Sequence, residues 1–108
     1  MDDKDLVRVL RALADKGRFR MVQEIAAAGE LSCGQVVERF NLTQPTISHH
    51  LKILSDAGVL IIRRDGQHGL ISVNQARLNE AAALLPRRLR VTPGQPSSRK
   101  PERARRAG

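Results

Sequence analysis

The chain has 108 residues, with 19 Lys and Arg against 11 Asp and Glu for a net charge of +8. That length allows one domain at most. Eight of the cations and one of the acids lie after Pro86, so the first 86 residues are nearly neutral and the high charge belongs to the tail. Charge alone therefore says nothing about what the folded part binds. No apolar run is long enough to span a membrane, and the acidic start MDDKDL lacks a signal-peptide layout. The single cysteine, Cys33, excludes an intramolecular disulfide framework. The chain reads as cytoplasmic, with no membrane partner and no implied cofactor.

Residues 5–14, DLVRVLRALA, put Leu6, Val9, Leu10 and Leu13 on one stripe at helical spacing, with Arg8 and Arg11 opposite. A second helix is expected from Lys16 to Ala28, with Phe19, Val22, Ile25 and Ala26 inward and Gly29 stopping it. Ser32 is placed to cap a short third helix, CGQVVERF, whose apolar residues are Val36, Val37 and Phe40. After a break at Asn41-Leu42, Thr43 caps a fourth helix with Pro45 in its first turn, burying Ile47, Leu51 and Leu54 and ending at Asp56-Ala57-Gly58.

Two β-prone runs follow, VLIIRR and LISV, joined by DGQHG, in which Asp65-Gly66 is a strong turn signal. The last helix, QARLNEAAALL, sets Leu78, Ala82 and Leu85 on one side and is expected to end at Pro86. The order is helix, helix, helix-turn-helix, hairpin, helix. This is a mainly α fold with a β-hairpin wing, a winged helix-turn-helix over residues 1–86. Residues 87–108 combine Pro93, Pro96 and Pro101 with Gly, Ser and Arg, and are nearly free of apolar residues after Val91. Such a segment cannot offset its ordering entropy and reads as disordered. It is either a solubilising end or a polyphosphate-attracting arm.

If Ile47, Leu51 and Leu54 face inward, the fourth helix presents Gln44, Pro45, Ser48, His49 and Lys52 outward, with Thr46 at the flank and no acid before Asp56. Amides and hydroxyls read base edges, a cation meets phosphate, and free amides at a helix start accept a phosphate oxygen. An enzyme would need a nucleophile, a paired base and a pocket, and none is visible. His49 and His50 point about 100° apart on a helix and cannot chelate one ion together. No Cys, Asp or Glu stands at ligand spacing from them before the helix ends, so no metal site is expected here. His49 is read as a DNA contact, and His50 as packing against the preceding helix. A protein-interaction module is the competing class. An interface core would want aromatics, and Phe19 and Phe40 are the only ones.

The runs LRALADKGRFRMVQEI, LTQPTISHHLKILSDAGVL and IIRRDGQHGLISVN together resemble the ArsR-type family of bacterial winged-helix repressors, over residues 5 to about 86. The resemblance implies a homodimer built from the first and last helices, which assigns pairing to Leu6, Val9, Leu10, Leu13, Leu78, Ala82 and Leu85. It also implies a promoter operator in double-stranded DNA as partner, contacted by Gln44, Thr46, Ser48, His49 and Lys52 and by Arg63, Arg64 and His68 of the wing. Metal-sensing members carry a thiol pair at the third helix, where this chain reads ELSCGQV with Cys33 alone. The alternative site on the last helix uses Asp and His, and only Glu80 is present there. Lys16 stands where many members have a proline, which weakens the start of the second helix. The sequence specifies no effector.

Cys33 keeps two readings. It is a small semi-buried residue beside the core, or a redox-active thiol in the first turn of a helix, where the dipole and free amides favour thiolate.

Overall fold

The computed structural model describes residues 1–66 and 68–90. Helix α1 spans Asp3–Leu13, starting earlier than expected because the Asp2 carboxylate accepts the Asp5 N–H at 2.8 Å. Helix α2, Lys16–Ala28, begins without proline because Asp15 caps it, accepting the Arg18 N–H at 3.0 Å. Gly29 closes it at φ 84°, its N–H bonding the carbonyls of Ile25 and Ala26, a backbone form that costs glycine little.

The inward face of α2 is Met21, Val22 and Ile25, all buried, while Phe19 and Ala26 point outward. This corrects the expected stripe. Val22 and Ile25 lie inward as expected, but the core is centred between Met21 and Ile25, so Phe19 and Ala26 fall on the flank of the buried face.

A two-residue strand, β1 (Leu31–Ser32), was not expected from the sequence, being too short to show a period of two. Ser32 also caps helix α3 (Cys33–Arg39) in a reciprocal capping box with Gln35. Helix α4 spans Gln44–Asp56. Strands β2 (Leu60–Asp65) and β3 (His68–Val73) form the hairpin, pairing from Leu60↔Val73 to Asp65↔His68. The turn is therefore tighter than DGQHG suggested, and β3 takes in His68 and Gly69. The sheet order is β1-β3-β2, all antiparallel, with Leu31 opposite Ile71.

Helix α5, Gln75–Arg88, runs through Pro86 instead of ending there. Proline removes its own N–H bond and crowds the carbonyl four residues back, but here that defect falls in the last turn, where little helix remains to break. The boundary expected at residue 86 thus lies inside α5. Arg88 ties this end to the N-terminus, donating to Asp3 Oδ1 and to the Met1 carbonyl at 2.6 Å each, while the Met1 ammonium meets Glu80 at 3.2 Å. Most of the expected disordered tail, residues 91–108, lies outside the described residues.

The core gathers Leu6, Val9 and Ala12 of α1, the α2 face, Val36, the α4 triad, Val59, Leu60, Ile71 and Ala81. Ile47, Leu51 and Leu54 are all buried, as the periodicity of α4 requires.

Candidate nucleic-acid interface

With its triad inward, α4 turns Gln44, Pro45, Thr46, Ser48, His49 and Lys52 to solvent, all of them exposed. Thr43 occupies the N-cap position with extended dihedrals, yet its hydroxyl makes no bond to the helix amides. It pairs instead with the Thr46 hydroxyl at 2.9 Å. The expected side-chain cap is therefore missing; Pro45 has no N–H to offer, so the Thr46 N–H is the first-turn donor left without it. Lys52 has a partner one turn on, Asp56 at 3.1 Å, an exposed pair that a phosphate can displace at little cost.

The wing carries Arg63, Arg64 and His68, all exposed. Successive strand residues point to opposite faces, and directly opposed residues share one. Arg64 therefore lies on the face of Leu60, Ile62 and Ile71, whereas Arg63 shares the other face with Ile61, Leu70 and the Asp65–His68 pair. The two arginines are not equivalent. Arg63 Nη2 donates to both carboxylate oxygens of Glu30, at 3.1 and 3.3 Å. Two exposed isoleucines, Ile61 and Ile62, flank the arginines along β2.

His50 is half-buried and meets the start of α2. Its Nδ1 lies 3.5 Å from Arg18 Nη1, and its Nε2 faces the space beside Gly17. The Asp15 carboxyl in the same corner is held below its ordinary value, first by the Arg18 backbone N–H that it accepts and then by the Arg18 and His50 charges, with desolvation opposing.

Residues 7–63 match a family model described as a helix-turn-helix domain. The chain is 34% identical over 80 residues to an arsenical resistance operon repressor of Staphylococcus aureus, covering 74% of this chain and 76% of the relative. It is 36% identical over 73 residues to the transcriptional repressor SdpR of Bacillus subtilis (strain 168), covering 68% and 80%. An ArsR-like transcriptional regulator from Rhodococcus sp. RHA1 shares the fold with a TM-score of 0.73 at 24% identity, over 81% of each chain. The chain belongs to the ArsR-type family of helix-turn-helix transcriptional regulators. These are DNA-binding proteins and not enzymes, so α4 and the wing are the surfaces to compare with that role.

In this ArsR-type regulator the residues assigned to pairing divide into two sets. Leu6 and Val9 are 3% and 0% exposed and belong to the subunit's own core. Leu10, Leu13, Leu78, Ala82 and Leu85 line a groove of about 250 Å³ between α1 and α5, to which Val9 also contributes. Apolar residues not assigned to pairing stand exposed on these elements or beside them: Val7 on α1, Phe19 on α2 and Leu89 just past α5. Val7 was findable, since it lies three residues before Leu10 on a second, outward stripe of α1.

Cys33 is exposed, which corrects the semi-buried reading. With Ile62, Arg64, His68 and Gly69 it lines a cavity of about 490 Å³ at the root of the wing. A Cβ on Gly69 would sit 3.6 Å from its Sγ, so the wing passes close over the thiol. Among the described residues no three His, Cys, Asp or Glu side chains converge as metal ligands, and no helix is long and apolar enough to cross a membrane.

Proposed function

We propose that this ArsR-type regulator is a cytoplasmic homodimeric repressor. It docks α4 in the major groove of a palindromic promoter operator and lays the β2–β3 wing along the flanking backbone. The observation that carries this reading is the outer surface of α4. Its first turn lacks a side-chain cap, and Gln44, Ser48 and His49 stand exposed beside it with no acid before Asp56. In the docked state Gln44, Ser48 and His49 read base edges. Pro45 and Thr46 pack at the groove entrance, Lys52 and Arg64 meet phosphates, and His68, on the opposite face from Arg64, reaches the backbone only from the tip of the hairpin. Pairing through the α1–α5 groove places two α4 helices about one DNA turn apart.

Metal sensing through the family's usual sites is not part of this proposal. Cys33 is the chain's only cysteine, and α5 offers Glu80 without His or Asp. Zinc, cadmium or arsenite is expected to leave operator binding unchanged.

The deciding experiment is selection from random duplex DNA with the purified full chain, followed by footprinting and sedimentation. A selected site with dyad symmetry and two chains bound supports the proposal. A monomer on an asymmetric site, or no sequence preference, overturns it in favour of a protein-binding role for α4. A thiol-responsive repressor is a second reading, favoured by the exposure of Cys33 beside Arg64 and His68. Running the selection with and without reductant tests it: operator release by oxidant that Cys33→Ser abolishes supports it, and release that survives the substitution removes it.

A further inference from the structure

A helix packed only through apolar side chains can roll about its axis at small cost, because dispersion contacts have no preferred direction. Base reading by α4 does not tolerate such a roll, since Ser48 and His49 must arrive in one register. A directional contact on the inner edge of α4 is therefore significant. His50 stands three residues from buried Ile47 and four from buried Leu54.

The group facing His50 is itself immobilised. Arg18 Nε donates to the Ala12 carbonyl at 2.7 Å and Nη2 to the Arg11 carbonyl at 3.3 Å, so the guanidinium caps the last turn of α1. Its backbone N–H is held by Asp15 at 3.0 Å. The remaining nitrogen, Nη1, points at His50 Nδ1 at 3.5 Å, the long end of a hydrogen bond, across 32 residues of sequence.

We propose that Arg18 and His50 are positioning residues for DNA recognition. They form a clamp that fixes the roll of α4 against the carbonyl end of α1. The inference rests on the assignment of α4 as recognition helix and adds to it how that helix is set. Its chemistry follows from donor and acceptor types. A guanidinium has donors only, so Nδ1 must be the acceptor and the imidazole proton sits on Nε2. Nε2 faces the gap beside Gly17, where a Cβ would lie 3.8 Å from it and 3.2 Å from Asp15 Oδ2.

The charged groups around the ring are thus Arg18 and Asp15 from the α2 side and His49 on its own helix, with ring centres 6.3 Å apart. Because α1 also lines the pairing groove, the clamp joins the surface that pairs subunits to the helix that reads DNA.

Two measurements on the full chain test this, one of them without DNA. Nitrogen NMR of the three imidazoles at neutral pH should show His50 as the Nε2–H tautomer, with a signal that shifts on Arg18→Gln while those of His49 and His68 stay put. A mixed-tautomer His50, indifferent to Arg18→Gln, would overturn the clamp whatever the protein binds.

The second measurement is the ratio of selected-site to random-site affinity. His50→Gln, whose amide oxygen can still accept from Arg18, should hold the ratio near the wild-type value, while His50→Leu and Arg18→Gln should lower it by about tenfold. A His50→Leu ratio equal to that of the wild type would overturn the positioning role. If no DNA sequence is preferred at all, the assignment of α4 fails and the positioning role with it, while the tautomer still decides whether the contact exists.

Discussion

The wing offers a sharp test because its adjacent arginines lie on opposite faces. Arg64 has no carboxylate partner among the described residues, whereas Arg63 is engaged by Glu30 at 3.1 Å. Each phosphate neutralised contributes about 0.9 to the slope of log affinity against log salt. Arg64→Ala should flatten that slope by about 0.9, which between about 50 and about 200 mM salt changes the relative affinity about 3.5-fold. The effect should be alike for selected and random DNA, since phosphate carries no sequence.

Arg63→Ala should change the slope little, because its charge is already matched. Glu30→Gln should do the reverse, freeing Arg63 and steepening the slope. Release from an exposed pair worth about 0–1 kcal/mol sets a ceiling of roughly fivefold on the affinity gained. Fluorescence anisotropy titrations at several salt concentrations measure all three. If Arg63→Ala flattened the slope while Arg64→Ala left it unchanged, the other face of β2 would be the one meeting DNA, and the docking proposed above would be wrong.

In the α1–α5 groove, Leu10→Glu should give a folded monomer in sedimentation, since Leu10 is already 38% exposed; an intact dimer would move pairing elsewhere. Leu6→Ala, by contrast, should cost roughly 2–5 kcal/mol in urea unfolding, as its side chain is core. The Asp15 carboxyl is lowered in the fold, so the stability it adds is present above the unfolded value and lost as pH falls through the folded one. Wild type should therefore melt above Asp15→Asn at neutral pH and converge with it below the ordinary value of 3.8, and a gap unchanged in acid would refute the cap's charge effect. Truncation after Arg90 should preserve the melting temperature and weaken all DNA binding alike, whereas truncation after Pro86 should also loosen the N-terminus by removing the bonds of Arg88 to Asp3 and Met1. Equal hydrogen-exchange protection of residues 1–6 in both truncations would refute that difference.

What the sequence made legible follows from the range of the interactions involved. The α4 triad could be read because one apolar stripe on a helix has one solution, and Ile47, Leu51 and Leu54 are buried accordingly. Helix α2 had two apolar rows, and only contact with β3 and α1 decides that Met21 goes in and Phe19 stays out. Pro86 misled because a proline's cost depends on how much helix follows it, which local sequence does not state. Strand β1 exists only as a partner of β3, with Leu31 opposite Ile71 far along the chain, so two residues of extended chain carried no signal of their own.

The site divides along the same line. Which residues α4 exposes is a local property, and the outward set Gln44, Ser48, His49 and Lys52 needed nothing beyond helical geometry. What those residues are free to do is not local. Glu30 occupies Arg63 from 33 residues away, and Arg18 engages His50 from 32. Neither pairing has a spacing rule that a single sequence could reveal. Both bear on the same functional quantity, because one sets how much charge the wing offers to phosphate and the other how α4 is presented to the bases. Affinity and sequence preference are thus governed by different long-range contacts in this fold. Substitution of Glu30 should move the first without the second, and substitution of His50 the second more than the first.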